Sequence, residues 1–185
     1  MLIKTQLPKM EIRAARLYVS PRTRPLTQAE METRALSYLL KDAICPQAGV
    51  EVAAYEMAAQ IAGPCVLVPV PSSTGDTGAN LRLCRAIAAH IAGVLVADIL
   101  GRSQPVESSC NRHKAGKPPL TVAEHFIHRN NKKLIPANAI WFVDNVTTSG
   151  RTIEACRAAL GGFGRGLVFA DVWQSICLMN SRKAS

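Results

Sequence analysis

The chain has 185 residues, 48% of them hydrophobic and 19% charged, with a formal net charge of +9. That much apolar material builds a core and excludes an intrinsically disordered chain, while no apolar run approaches the roughly 20 residues of a membrane span. The length fits one domain with a small appendage, and the positive excess attracts anions: phosphorylated metabolites, nucleic acid or acidic surfaces.

Residues 1–26 are basic and contain prolines, and are expected to form a small N-terminal segment or hood over a main domain spanning 27–185. Within that segment Ala15 to Val19 reads as a short strand, ended by Pro21 and Pro25. Met1-Leu2-Ile3-Lys4 is not followed by an apolar stretch, so no signal peptide is expected. Thr27-Gln28-Ala29-Glu30 is a capping box. The helix it opens carries Met31, Ala35, Tyr38 and Leu39 on one side and should stop near Pro46. A second helix presents Val50, Ala54, Met57, Ala58 and Ile61 on one face and breaks at Gly63-Pro64. Cys65 to Val70 is a short β-branched apolar run, the pattern of a parallel strand buried on both faces.

Pro71 to Gly78 is a polar loop rich in Ser, Thr and Gly. The helix after it carries Leu81, Cys84, Ile87, Ala88 and Ile91, is capped at Gly93, and leads to a strand over Val94 to Ala97. Residues 101–120 hold Arg102, Arg112, His113, Lys114 and Lys117 without apolar periodicity, which predicts a long functional or mobile loop. A solvated basic surface is the other reading of the same residues. Ala139 to Val143 is a buried strand leading into Asp144 to Thr152. A helix with Ile153, Cys156 and Leu160 facing inward follows and ends at Gly161-Gly162. Leu167 to Val172 is the last strand. Strand, polar loop and helix in alternation predict an α/β fold, a central and mostly parallel sheet flanked by helices.

The six cysteines are Cys45, Cys65, Cys84, Cys110, Cys156 and Cys177. None forms the C-x-x-C pair of a zinc site. Cys65, Cys84 and Cys156 lie in apolar periodic segments and read as small core residues of a reducing, cytoplasmic compartment. His113 has no second His, Asp or Glu at metal spacing, so no metal ligands are expected among the side chains. Trp141 and Trp173 read as core residues.

The strongest chemical signal is Val143 to Thr152. A buried strand delivers Asp144 and Asn145, followed by hydroxyls, a glycine and a helix start. Unpaired amides at a helix start face a phosphate with a favourable dipole. Gly150 permits close backbone approach, and Thr147, Thr148, Ser149 and Thr152 add neutral donors. Neither G-x-x-x-x-G-K-[ST] nor a post-strand G-x-G-x-x-G is present.

Trp141 to Thr152 resembles the phosphoribosyl pyrophosphate signature of type I phosphoribosyltransferases, and Val68-Pro69-Val70-Pro71-Ser72-Ser73-Thr74 is similar to that family's pyrophosphate loop. The V-P-V-P form is most similar to the ComF-like branch. The resemblance implies that Asp144 and Asn145, the catalytic pair, contact the ribose 2′- and 3′-hydroxyls. It implies that Thr147, Thr148, Ser149, Gly150, Arg151 and Thr152 wrap the 5′-phosphate. Ser72, Ser73 and Thr74 would line the pyrophosphate side, usually with magnesium, under a mobile loop carrying Arg112 and Lys114. Asn145 stands where the family has a second acidic residue. The implied ligand is phosphoribosyl pyrophosphate or a nucleoside monophosphate. The implied activity is glycosyl transfer to a nitrogenous base. Alternatives are a regulatory module that senses a phosphoribosyl compound while its basic surface grips nucleic acid, and a DNA-uptake accessory. A homodimer is a further expectation.

Overall fold

The computed structural model describes residues 10–22, 24–42, 44–130 and 139–172, without the side chains of residues 110, 113 and 114. Its centre is a five-stranded parallel sheet: β1 (Ile12–Leu17), β2 (Val66–Pro69), β3 (Leu95–Val96), β6 (Ile140–Thr147) and β7 (Arg165–Asp171). The strands lie in the order β1-β7-β6-β2-β3. A separate antiparallel ribbon joins β4 (Leu100–Arg102) to β5 (Ile127–Arg129). The helices are α1 (Gln28–Leu39), α2 (Gln47–Ala58), α3 (Gly78–Ala88), α4 (Ser109–Lys114) and α5 (Arg151–Ala159).

β2 and β6 are buried because both of their faces are covered. Leu67, Trp141 and Val143 pack with α2, α3 and the end of α1. Val66, Val68, Ile140 and Phe142 pack with Ile153, Cys156 and Leu160 around α5. The chain steps from β1 to β2 and on to β3 in one direction, over the α2 and α3 face. From β6 to β7 it steps the other way, over the α5 face. Opposite steps over opposite faces have the same hand, the right hand that sheet twist favours. The direction of winding therefore reverses between β2 and β6, and ligands of open α/β sheets bind outside the carboxyl ends at that reversal. Pro69 is tolerated in this central strand because β3 pairs only with Val66 and Leu67. Val70 N–H, one residue on, donates to Val143 on the β6 side, so the missing Pro69 donor faces the side where β3 has ended.

Several expectations change here. The N-terminal strand lies at Ile12–Leu17 and pairs in parallel with β7 at the sheet edge. The N-terminal segment thus supplies a strand of the main sheet, and residues 1–9 of the expected hood lie outside the described residues. The 101–120 segment is not one long loop. It forms most of a flap, with β4 and β5 at its base and α4 and a 3-10 turn (Ala123–His125) within it. In α1 the expected inner face is outside: Met31, Tyr38 and Leu39 are each nearly half exposed. The inner face carries Thr33 and Ser37, whose hydroxyls donate to the Ala29 and Thr33 carbonyls at 2.9 and 2.7 Å. Short side chains satisfied within the helix let α1 approach the sheet closely. Trp173 and Cys177 lie outside the described residues.

Candidate phosphate cavity

The β6–α5 loop is shaped by a few local interactions. Thr147 ends β6 buried, and its Oγ1 accepts from the Gly150 amide at 3.2 Å. Gly150 stands at the helix N-cap with φ of 73°, a left-handed conformation that suits glycine. Glu154 N–H donates to the Gly150 carbonyl and is the first amide bonded inside α5. The amides of Arg151, Thr152 and Ile153 precede it at the positive end of the helix dipole. Thr148 and Ser149 are exposed beside them.

This loop forms one wall of a cavity of about 450 Å³, with Val146, Thr148, Ser149 and Arg151 contributing. Tyr18, Ser20, Pro21 and Arg22 make a second wall, Arg34 and Tyr38 of α1 with Lys41 just beyond it make a third, and the flap closes it with Arg112, Lys117 and His125. Six cationic side chains line the cavity (Arg22, Arg34, Lys41, Arg112, Lys117 and Arg151), and no carboxylate of a described residue does. Glu107 pairs with Arg112 and Lys117, and Glu154 with Arg151. Arg34 and Lys41 instead lie over the Tyr38 ring.

Asp144 and Asn145 are not brought together. Asn145 is buried; its Nδ2 donates to the Ser37 carbonyl at 3.1 Å and its Oδ1 accepts from Val146 N–H. Both ends of its amide are thus engaged by the protein, and it ties β6 to α1. Asp144 Oδ1 accepts from its neighbour's amide at 2.8 Å and from Asn80 Nδ2 at 3.2 Å. Burial pushes the Asp144 carboxyl up to about 6, against the pull of those hydrogen bonds and of the Lys41 and Arg102 charges.

The Ser72–Thr74 loop follows β2, across the reversal point from Asp144. Ser72 and Thr74 share a hydroxyl contact of 2.9 Å, and Ser72 N–H donates to the Asp76 carbonyl. None of the three lines the cavity. Instead the flap holds them: Arg102 Nε donates to Ser72 O at 2.6 Å, and Val106 N–H donates to Ser73 O at 2.8 Å. Arg112 reaches the cavity wall, while the Lys114 side chain lies outside the described residues.

Three residues outside the expected site organise this region, and only Arg102 is singled out by the sequence, as part of the basic 101–120 segment. Asn80 bridges the Val70 carbonyl and Asp144, joining the ends of β2 and β6. Arg102, half-buried, donates to the Ser72 and His125 carbonyls, and burial lowers its pKa. His125 is 3% exposed. A signal for the His125 turn was present: Thr121 and Glu124 repeat the Thr-x-x-Glu spacing and exchange the same reciprocal bonds. Among the described residues no group of three or more His, Cys, Asp or Glu could hold a metal ion, and no helix is long and apolar enough to cross a membrane. No family model matches the chain, and no curated protein matches it.

Proposed function

We propose that this chain binds phosphoribosyl pyrophosphate and transfers phosphoribose to a nitrogenous base, as a type I phosphoribosyltransferase of the ComF-like branch. The observation that carries this reading is the β6–α5 loop. It follows the strand at the sheet's reversal point, opens α5 behind the exposed Thr148 and Ser149, and forms a wall of a cavity lined by six cations.

In this reading Thr147 to Thr152 hold the 5′-phosphate and Asp144 accepts from a ribose hydroxyl. Asn80 fixes the Asp144 carboxyl by bonding one of its oxygens. Asp144 Oδ2 carries no hydrogen bond from a described residue and is left for the ligand. Ser72 to Thr74, clamped by Arg102, take the pyrophosphate. As pyrophosphate leaves C1 of the ribose, Arg102, bonded to the Ser72 carbonyl, is the cation beside the departing negative charge, and no side chain needs to act as a nucleophile. The oxygen donors fit magnesium held mainly by the substrate's own phosphates, and when bound it would neutralise the pyrophosphate.

One observation favours a second reading. The Asn145 amide is spent on Ser37 and Val146, which leaves Asp144 as the one acid of the expected pair. A binding module that senses a phosphoribosyl compound and associates with nucleic acid needs no more than that.

Calorimetry with phosphoribosyl pyrophosphate, with and without magnesium, tests the first reading. Binding is expected for the native chain and lost in Asp144→Ala; unchanged affinity in that variant sinks the assignment. Pyrophosphate release in a panel of bases separates transfer from sensing.

A further inference from the structure

The flap meets the rest of the site in two ways. Its backbone and base are fastened to the Ser72–Thr74 loop: the Val106 amide donates to the Ser73 carbonyl at 2.8 Å, and Arg102 Nε to the Ser72 carbonyl at 2.6 Å. Its cations Arg112 and Lys117 instead line the cavity, together with Thr148, Ser149 and Arg151 of the β6–α5 loop and with none of Ser72, Ser73 and Thr74. One carboxylate holds both cations. Glu107 Oε2 lies 2.9 Å from Lys117 Nζ and 3.5 Å from Arg112 Nη1. Glu107 does not line the cavity, so it acts on a ligand there through the two cations. Arg112 Nε is held as well, donating to the Pro118 carbonyl at 2.9 Å. A guanidinium is planar, and anchoring Nε and Nη1 fixes where Nη2 points. Nη2 has no hydrogen-bond partner among the described residues. Glu107 likewise takes one of the three donors of the Lys117 ammonium. The Arg112 side chain is 18% exposed, so solvent screens its contact with Glu107 less than it screens an open surface pair.

We infer that Glu107 is a positioning residue for the phosphate end of the ligand: it holds Arg112 and Lys117 towards the phosphate on the β6–α5 loop, and away from the pyrophosphate side. This deepens the phosphoribosyl reading and rests on it. A carboxylate that competed with the phosphate would occupy the donors the phosphate needs; Glu107 engages the two cations at one donor each and leaves the others. Cations already oriented lose less freedom when the anion arrives, and the saving appears as affinity.

Three probes test the inference by calorimetry on the full chain: inorganic phosphate, ribose 5-phosphate, and pyrophosphate with magnesium in the presence of saturating ribose 5-phosphate. Glu107→Ala is expected to weaken phosphate and ribose 5-phosphate by about fivefold, the upper end for a partly exposed ion pair, and to leave pyrophosphate unchanged. Arg112→Ala should weaken the same two probes, and Glu107→Ala added to it should cost less than it does alone, because the carboxylate acts through the guanidinium. Glu107→Gln, which keeps an oxygen acceptor, should restore part of the loss, with thermal melting confirming that each variant folds. Tighter phosphate binding in Glu107→Ala makes the carboxylate a competitor and overturns the inference. So does an unchanged phosphate affinity, an undiminished loss in the Arg112→Ala background, a loss confined to pyrophosphate, or no binding of phosphate by the native chain at millimolar concentration. Ribose 5-phosphate binding no tighter than phosphate overturns the phosphoribosyl reading instead, and the response of phosphate to Glu107→Ala still reports on the flap cations.

Discussion

Asp144 and His125 carry opposite pH signatures. Burial raises the Asp144 carboxyl from about 4 to about 6. Over that window the folded chain keeps a proton that the unfolded chain has released, so stability falls as pH rises from about 4 to 6. His125 moves the other way. The folded ring stays neutral down to about 4, while the unfolded ring takes up a proton near 6.5. Its contribution is present above 6.5 and lost as pH falls towards 4. The two slopes oppose each other in the native chain and can be separated by substitution. Asp144→Asn keeps an oxygen to accept from Asn80 and the Asn145 amide and removes the titration. The melting temperature of Asp144→Asn minus that of the native chain should therefore grow more positive between pH 4 and pH 7. A difference that stays flat across that range means the carboxyl is not raised. Above pH 6 the variant should be the more stable protein and the poorer binder, the trade expected where a buried charge is kept for a ligand.

Elements were legible where pattern and packing agree. The Thr27–Glu30 box caps α1 as its spacing predicts, and Gly161 follows the last turn of α5 with φ of 76°. The β2 and β6 runs are buried on both faces, as short β-branched segments predict. The inner face of α1 was not legible, because close packing against the sheet selected Thr33 and Ser37 over the larger Tyr38 and Leu39, and helical periodicity ranks residues by hydrophobicity alone. The flap was hidden for a different reason. β4 and β5 are three residues each and lie far apart in sequence, too short for an alternating pattern to register. In the candidate site, the strand-to-helix loop could be read from its residue types. Asn80 and His125 could not, and Arg102 could be read only as one basic residue of the 101–120 segment, since all three act through long-range bonds to groups that only the fold brings near. Gly150 is where local chemistry decides most. A Cβ there would sit at φ of 73° and 3.0 Å from Ile12 Cδ1. Gly150→Ala should cost about 1–3 kcal/mol of stability by urea unfolding and weaken ribose 5-phosphate binding as the loop shifts. A loss of stability with phosphate affinity intact would show that the loop shapes the fold without holding the ligand.

At the scale of the whole molecule, the question is what the +9 charge serves. Across the described surface much of the positive charge is matched: Arg13 and Arg165 pair with Glu11, Arg16 with Glu56, and Arg24 with Glu30. Arg22, Arg34 and Lys41 lack such partners among the described residues and converge on one cavity. A cavity of about 450 Å³ accommodates a small metabolite and is too narrow for a nucleic-acid duplex, whose contacts would have to spread over the outer surface. Metabolite and nucleic acid would then occupy different places. For the enzyme reading, fluorescence anisotropy with a labelled oligonucleotide should show weak binding that falls steeply and log-linearly with salt. Saturating phosphoribosyl pyrophosphate should leave that binding unchanged. For the sensing module the two ligands must be coupled, because each would shift the other's affinity by the same factor. An oligonucleotide affinity that changes severalfold on adding phosphoribosyl pyrophosphate at constant ionic strength therefore favours the module over the enzyme, and an unchanged affinity assigns the cavity to small-molecule chemistry.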